Sequence, residues 1–173
     1  MKKKIVLTAL STVLLGSFML LPRIAHAAEW LVLPTTGFVS GDPTLTLTMP
    51  FVSQPNLSVK SSAAGDLKWI EVSVPFISPL PSPIDGVAVC YSAPNAGTFI
   101  SQIRLAEYIG PAFATVKHDD GTDLTSATDA CAFSPVANYT PAGAVNLSLR
   151  LNFANPAHVI NIGAVALHFK PVP

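Results

Sequence analysis

The stretch that decides the fold is VNLSLRLNF, residues 145–153. Its odd-numbered positions carry large apolar side chains, and its even-numbered positions carry Asn, Ser, Arg and Asn. Because neighbouring side chains of a β-strand point to opposite faces, this alternation places one face on a hydrophobic core and the other in water. The stretch therefore predicts a strand of an antiparallel sheet with one solvated face.

Similar short apolar stretches recur along the chain, and sixteen prolines and ten glycines leave little room between them for long amphipathic helices. This pattern predicts an all-β fold, a single antiparallel β-sandwich. Jelly-roll topology is favoured over an immunoglobulin-like one because both tryptophans precede the first cysteine. Proline-rich residues 75–83 are read as an extended crossing segment. The predicted strands cover residues 44–49, 66–74, 86–91, 98–108, 112–117, 144–153 and 159–169.

The last predicted strand, residues 159–169, differs from the others. If its side chains alternate strictly between the two faces, both faces are apolar. One face carries Val159, Val165, Leu167 and Phe169, and the other carries Ile160, Ile162, Ala164 and Ala166. A strand of this kind is either covered on both sides or uses its second face as a subunit interface. Burial and self-association are both kept as interpretations.

The N-terminus has the three parts of a secretory signal peptide: basic residues 2–4, an apolar run, and the small-x-small site AHA at 25–27. We expect cleavage after Ala27, which leaves one domain, residues 28–173, secreted or periplasmic and without a membrane span. Four basic residues leave with the signal, so six basic residues face ten acidic ones, a net charge of −4. This balance argues against a nucleic-acid partner.

The mature chain has two cysteines, Cys90 and Cys131. Their spacing matches neither a zinc site nor a CxxC redox motif. Since an exported chain meets an oxidising compartment, the two residues are predicted to form one disulfide.

An acidic cluster stands out in HDDGTD, residues 118–123. Clustered carboxylates favour calcium, so Asp119, Asp120 and Asp123 are candidate ligands, with Asp129 and backbone carbonyls completing the shell. The alternative is structural. Asp120 followed by Gly121 is typical of a type I′ turn, which predicts a hairpin tip instead.

Aromatic side chains offer a sugar-binding interpretation, because a sugar ring stacks on a supported aromatic face. Trp69 and Tyr91 are the leading candidates for ligand binding, and Tyr108 and Tyr139 are further ones. Trp69 alternates with Ile70, Val72 and Val74. It is therefore predicted to point away from the main core.

No catalytic set emerges from the sequence: it has no G-x-S-x-G elbow, and its mature histidines, His118, His158 and His168, are far apart. The leading hypothesis is an exported, non-catalytic interaction protein that contacts a protein partner or self-associates. The alternative is a carbohydrate-binding module that uses Trp69 and residues 119–123, with calcium as its cofactor if it has one. A small secreted hydrolase is the third.

Overall fold

The computed structural model describes residues 29–49, 56–75, 82–110 and 113–170, and the predicted signal peptide lies outside these ranges. The described residues form ten strands and one short 3-10 helix, Thr35–Gly37. The strands are β1 (Glu29–Leu33), β2 (Leu45–Thr48), β3 (Leu57–Ser61), β4 (Gly65–Ser73), β5 (Ile84–Ser92), β6 (Phe99–Tyr108), β7 (Ala114–Asp120), β8 (Ala130–Tyr139), β9 (Ala144–Phe153) and β10 (Val159–Phe169).

The strands form two sheets, and within each sheet every pair of neighbouring strands is antiparallel. One sheet has six strands in the order β2-β3-β10-β5-β8, with β1 also paired to β10, and the other has the order β4-β9-β6-β7. From β3 to β10 the chain changes sheet at every connection except the one between β6 and β7. This is the strand order of a jelly roll, so the predicted fold class is confirmed.

The core lies between the two sheets and depends on the alternation that the sequence displays at 145–153. Every odd-numbered residue of β9 is at most 2% exposed, whereas Ala144 is exposed and the other even-numbered residues are only partly buried. The buried row packs with apolar residues of β4, β5, β6 and β10 in one hydrophobic cluster. Because β9 is paired on both sides, its polar face becomes the centre of the outer surface of the four-stranded sheet.

The prediction that β10 is apolar on both faces is wrong. A register shift between Ile162 and Val165 places an irregularity at Gly163 and Ala164 in the pairing with β5. An extra residue in a strand reverses the parity of everything that follows it. As a result, five apolar side chains share the inner face and are each at most 5% exposed: Ile160, Ile162, Val165, Leu167 and Phe169. With this parity change the strand no longer has a second apolar face to indicate a subunit interface.

The prediction of a hairpin at 118–123 is also wrong. β7 ends at Asp120 and pairs with β6, whereas the next strand, β8, belongs to the opposite sheet. Gly121 is not among the glycines with positive φ, so the type I′ turn does not form. Leu124 instead bridges Ile100 and is buried. The acidic stretch therefore contains the end of β7 and the start of a crossing between the sheets.

The predicted disulfide is confirmed, since Cys90 on β5 and Cys131 on β8 are bonded and stand opposite each other in the strand register. It links two neighbouring strands of the six-stranded sheet. The bond therefore secures an edge strand whose other side is unpaired among the described residues.

One end of the sandwich is closed by a buried carboxylate, Glu107, whose side chain is 2% exposed. It accepts hydrogen bonds from the backbone amides of Ala142 and Gly143 and pairs with Lys117 at 3.1 Å. Burial alone would raise the pKa of Glu107, but these three partners together hold it below its ordinary value. The carboxylate thus ties the loop before β9 to β6 and β7.

We expect Glu107→Gln to lower the free energy of unfolding at pH 7 by about 1–3 kcal/mol, because the charge-assisted bonds are lost and Lys117 keeps no counter-charge there. A carboxyl whose folded pKa is lowered stabilises fully above its unfolded pKa of about 4.3 and loses that contribution as the pH falls through the folded pKa. The difference between wild type and variant in urea unfolding should therefore shrink between pH 5 and pH 2. A difference that stays constant over this range would contradict the assignment.

Candidate functional site

A groove of about 490 Å³ runs over the outer face of the four-stranded sheet. We call it the β9 groove because β9 is the sheet's second strand and its polar face forms part of the floor. Its lining combines large side chains at the sides with small ones between them: Gly41, Asp42, Leu67, Trp69, Glu71, Arg104, Ala106, Tyr108, Ala114, Val116 and Ser148.

One side of the groove is built by the segment 39–44, which lies along the edge strand β4. Val39 exchanges backbone hydrogen bonds with Glu71, and the Ser40 hydroxyl donates to the carbonyl of Trp69 at 2.7 Å. Lys68 is 6% exposed; its ammonium donates to Thr44 Oγ1 at 2.7 Å and lies 3.6 Å from Asp42 Oδ2. These contacts fix the segment 39–44, which we call the rim of the groove, against the strand that carries Trp69.

Trp69 projects from β4 over the groove and is half-buried. The guanidinium of Arg104, from β6, lies 4.9 Å from the centre of its ring, in cation–π contact. The two side chains reach each other across β9, where Ser148 is small enough to leave room beneath them. Trp69 is therefore held in one orientation by a residue from two strands away.

Arg104 is in turn held by Asp119 on β7. Arg104 Nη2 donates to Asp119 Oδ2 at 3.0 Å and Nε donates to Oδ1 at 3.3 Å, and the Gln102 amide also donates to Asp119. The Arg104 hydrogen bonds are the main reason why the pKa of Asp119 is lowered, and they outweigh its partial burial. One chain of contacts thus crosses the whole sheet, from Asp119 through Arg104 to Trp69.

The groove also carries oriented carboxylates. Asn146 Nδ2 donates to Glu71 Oε2 at 2.7 Å, and Glu71 takes part in none of the ion pairs formed by the described residues. Asp42 accepts from the amide and the hydroxyl of Thr44 at 2.8 and 2.7 Å, and these bonds keep its pKa low. The groove therefore offers hydrogen-bond acceptors beside an aromatic face.

The far end of the groove is lined by Tyr108 and Val116, which are 43% and 48% exposed. Tyr108 is paired with Ala144 and Trp69 with Arg150, six residues apart on β9. At the rise of a strand this separation is about 20 Å. The surface between the two aromatic residues is therefore elongated and suits a chain-like ligand better than a single small molecule.

Of the two leading aromatic candidates, Trp69 faces the groove and Tyr91 faces the core. Trp69 points away from the core, as predicted, and its role in binding stays a prediction. Tyr91 is 7% exposed and belongs to the core, where its hydroxyl accepts from the amide of Ser126 at 3.1 Å. The prediction of Tyr91 as a ligand-binding residue is wrong, because its position on β5 turns the ring into the core.

The three candidate calcium ligands are not brought together. Asp119 accepts from Arg104 on the outer face, whereas Asp120 accepts from Ser134 of the opposite sheet. The two side chains point in opposite directions because they are neighbours in a strand. Asp123 is exposed in the crossing that follows. Among the described residues no group of three or more His, Cys, Asp or Glu side chains is placed to hold a metal ion. Calcium binding at this stretch stays a prediction.

His118, Ser134 and Asp120 form a contact chain that resembles a hydrolase site only in composition. Ser134 Oγ donates to Asp120 at 2.5 Å and lies 2.7 Å from His118 Nε2. Since the hydroxyl has one proton and gives it to Asp120, His118 must donate to Ser134 and does not act as its base. Burial lowers the pKa of His118, although both nearby carboxylates oppose this shift. Ser134 is 1% exposed, so the arrangement is structural.

Sequence reasoning missed Arg104 and the rim residues. Arg104 lies in the predicted strand 98–108, but a register shift between Ile100 and Gln102 obscures which residues share its outer face. The rim depends on contacts between segments far apart in sequence, and no local sequence pattern indicates these contacts. The only available signal was the alternation of Trp69 and Glu71 with buried residues.

A second aromatic surface lies on the outer face of the six-stranded sheet. Trp30 and Phe133 are 51% and 54% exposed, and their ring centres are 6.1 Å apart. Trp30 also packs on His168 at 4.6 Å, and Phe133 covers Gly86, where an added Cβ would lie 2.2 Å from the ring. Phe133 therefore lies over a glycine, whereas Trp30 packs against the imidazole of His168.

No protein-family model matches the sequence, and no curated protein matches it significantly. Among the described residues no helix is long and apolar enough to cross a membrane.

Solved structures share the fold at low identity. One is the endo-1,4-β-D-xylanase 10B of Clostridium thermocellum, comprising CBM22-1 and GH10 modules complexed with xylohexaose (TM-score 0.52, 14% identity, 79% of this chain and 27% of that one). This chain therefore spans about a quarter of the length of the xylanase chain in that structure. Others are a CBM4 structure (0.50, 16%, 79% and 96%) and the family 29 carbohydrate-binding module CBM29_1 from Piromyces equi (0.50, 8%, 84% and 93%). The similarity shows the β-sandwich fold.

We expect Arg104→Ala to expose the Trp69 ring, because the guanidinium covers one of its faces. Quenching of Trp69 fluorescence by the neutral quencher acrylamide should increase in a Trp30→Phe background, which leaves Trp69 as the only tryptophan. Lys60→Ala, an exposed cation on the other sheet, serves as the matched control. Equal quenching of the Arg104 and Lys60 variants would show that the cation–π contact does not hold the ring.

Proposed function

We propose that this protein is an exported, non-catalytic carbohydrate-binding protein that holds a glycan chain along the β9 groove. The observation that carries the proposal is the fixed Trp69 ring, which is oriented by Arg104 and lies beside the Glu71 carboxylate, itself oriented by Asn146, in an open, elongated groove. The aromatic face suits the apolar C–H face of a sugar ring, and the oriented hydrogen-bond acceptors suit its hydroxyl groups.

The proposed recognition divides between stacking and hydrogen bonding. The C–H-rich face of a sugar packs on Trp69 at one end of the groove and on Tyr108 at the other. Sugar hydroxyls donate to Glu71 and Asp42 and accept from Arg104. Both carboxylates are positioned before binding by Asn146 and Thr44, so little side-chain entropy is lost when the glycan binds.

The charge of the groove favours a neutral glycan over a polyanionic one. Arg104 is already paired with Asp119 and Lys68 with Asp42, whereas Glu71 has no cationic partner among the described residues. A uronate-rich chain would bring further negative charge against Glu71, and Arg104, the cation in the groove lining, already has a carboxylate partner. Neutral linear polysaccharides are therefore the substrate class we propose.

The comparisons support this class of ligand without fixing the sugar. The structures with the same fold include carbohydrate-binding modules, and the structure that holds CBM22-1 and GH10 modules together was determined with xylohexaose. Xylohexaose and cellohexaose are accordingly the first probes. The proposed export rests on the signal-like N-terminus and agrees with the Cys90–Cys131 disulfide.

We expect Trp69→Ala to weaken binding of the recognised oligosaccharide by more than about 10-fold, as loss of a central aromatic contact usually does. Isothermal titration calorimetry of the purified mature protein measures this directly. Trp30→Ala is the matched control, since it removes the other tryptophan from the opposite outer face. Equal losses in both variants, or no binding of wild type to any neutral glycan, would contradict the proposal.

A second candidate function is self-association through the outer face of the six-stranded sheet. The observation that favours it is the exposed pair Trp30 and Phe133, since aromatic residues are enriched at interfaces. Light scattering of the mature protein at increasing concentration tests this candidate. A constant monomer mass would eliminate it.

A further inference from the structure

Leu67 has an unusual backbone conformation at the rim of the β9 groove. Its φ is 63°, and no other non-glycine residue among those described has a positive φ. This left-handed conformation is unfavourable for a branched apolar residue and is readily adopted by glycine or asparagine. Leu67 is also 63% exposed, so burial does not compensate for the strain.

The conformation is required by the backbone of β4, which has a register shift between Gly65 and Lys68. The irregularity turns Lys68 inward, where it reaches Thr44 and Asp42 and anchors the rim. The fold therefore explains why position 67 is left-handed. It does not explain why this position carries leucine, because glycine or asparagine would satisfy the same backbone with less strain.

The leucine side chain lines the groove beside Trp69 and Asp42. Strained residues are retained where function depends on them, and an exposed apolar group gains most when a ligand covers it. We propose that Leu67 is a ligand-contacting residue that extends the Trp69 platform by one sugar subsite. This inference rests on the proposed glycan-binding function of the groove.

The proposal makes stability and binding change in opposite directions in Leu67→Asn. Asparagine is similar in size, tolerates the left-handed conformation and lacks the apolar surface. We expect the melting temperature to rise by roughly 2–4 °C, because asparagine relieves the backbone strain. The affinity for the oligosaccharide that wild type binds should fall about 3- to 10-fold.

Val32→Asn is the matched control, because Val32 is 61% exposed on the other sheet. It should leave the affinity unchanged. A Leu67→Asn variant that binds like wild type while Trp69→Ala has lost binding would overturn the role of Leu67 and leave the proposed function intact. Absence of wild-type binding to all neutral glycans would overturn both. A lower melting temperature with unchanged affinity would assign Leu67 a structural role.

Discussion

The alternation of side chains along β9 is the constraint on which both the core and the groove depend. Five apolar side chains of this strand are buried between the sheets, and the residues between them face outward. Since β9 is paired with β4 on one side and β6 on the other, its register fixes the separation of Trp69 and Arg104. A slip by one residue would turn the apolar row outward and place Ser148 in the core. The hydrophobic effect that selects the register therefore also builds the site.

The groove is an electrostatic assembly as well as a shape. Asp119 holds Arg104, Arg104 covers Trp69, and Asn146 orients Glu71. Because most groups are partnered before any ligand arrives, binding would require little rearrangement of the site. Each contact is individually worth little at a partly exposed position, but together they leave few alternative side-chain arrangements. The β-sandwich supplies the rigid surface, and a handful of outer-face residues supply the chemistry.

Sequence alone predicted the parts of the fold that follow strict alternation. The β9 pattern, the all-β class, the jelly-roll order and the Cys90–Cys131 bond are all found in the structure. The failures coincide with breaks in period two or with long-range connections. The irregularity near Gly163 turned an apparently two-faced strand into a one-faced one, and the crossing after Asp120 looked like a hairpin turn. Local chemistry does not reveal a bulge or the sheet to which the next strand returns.

The site was predictable only as far as one residue's direction. Trp69 alternates with buried residues, so its outward orientation followed from the sequence, whereas its partner Arg104 belongs to a strand with a register shift. The rim at 39–44 depends on the buried ammonium of Lys68, 24 residues from Thr44 along the chain. Such contacts form because folding brings the segments together, and no short-range pattern encodes them.

Glycan binding in the β9 groove is tested by an NMR titration that follows the indole N–H signals of the two tryptophans, Trp30 and Trp69, as a neutral oligosaccharide is added. We expect the Trp69 signal to shift with saturation while the Trp30 signal stays in place, and the perturbed backbone amides to cluster on β4, β9 and β6. A saturable shift of Trp30 alone, with amide changes confined to the six-stranded sheet, would contradict binding in the β9 groove.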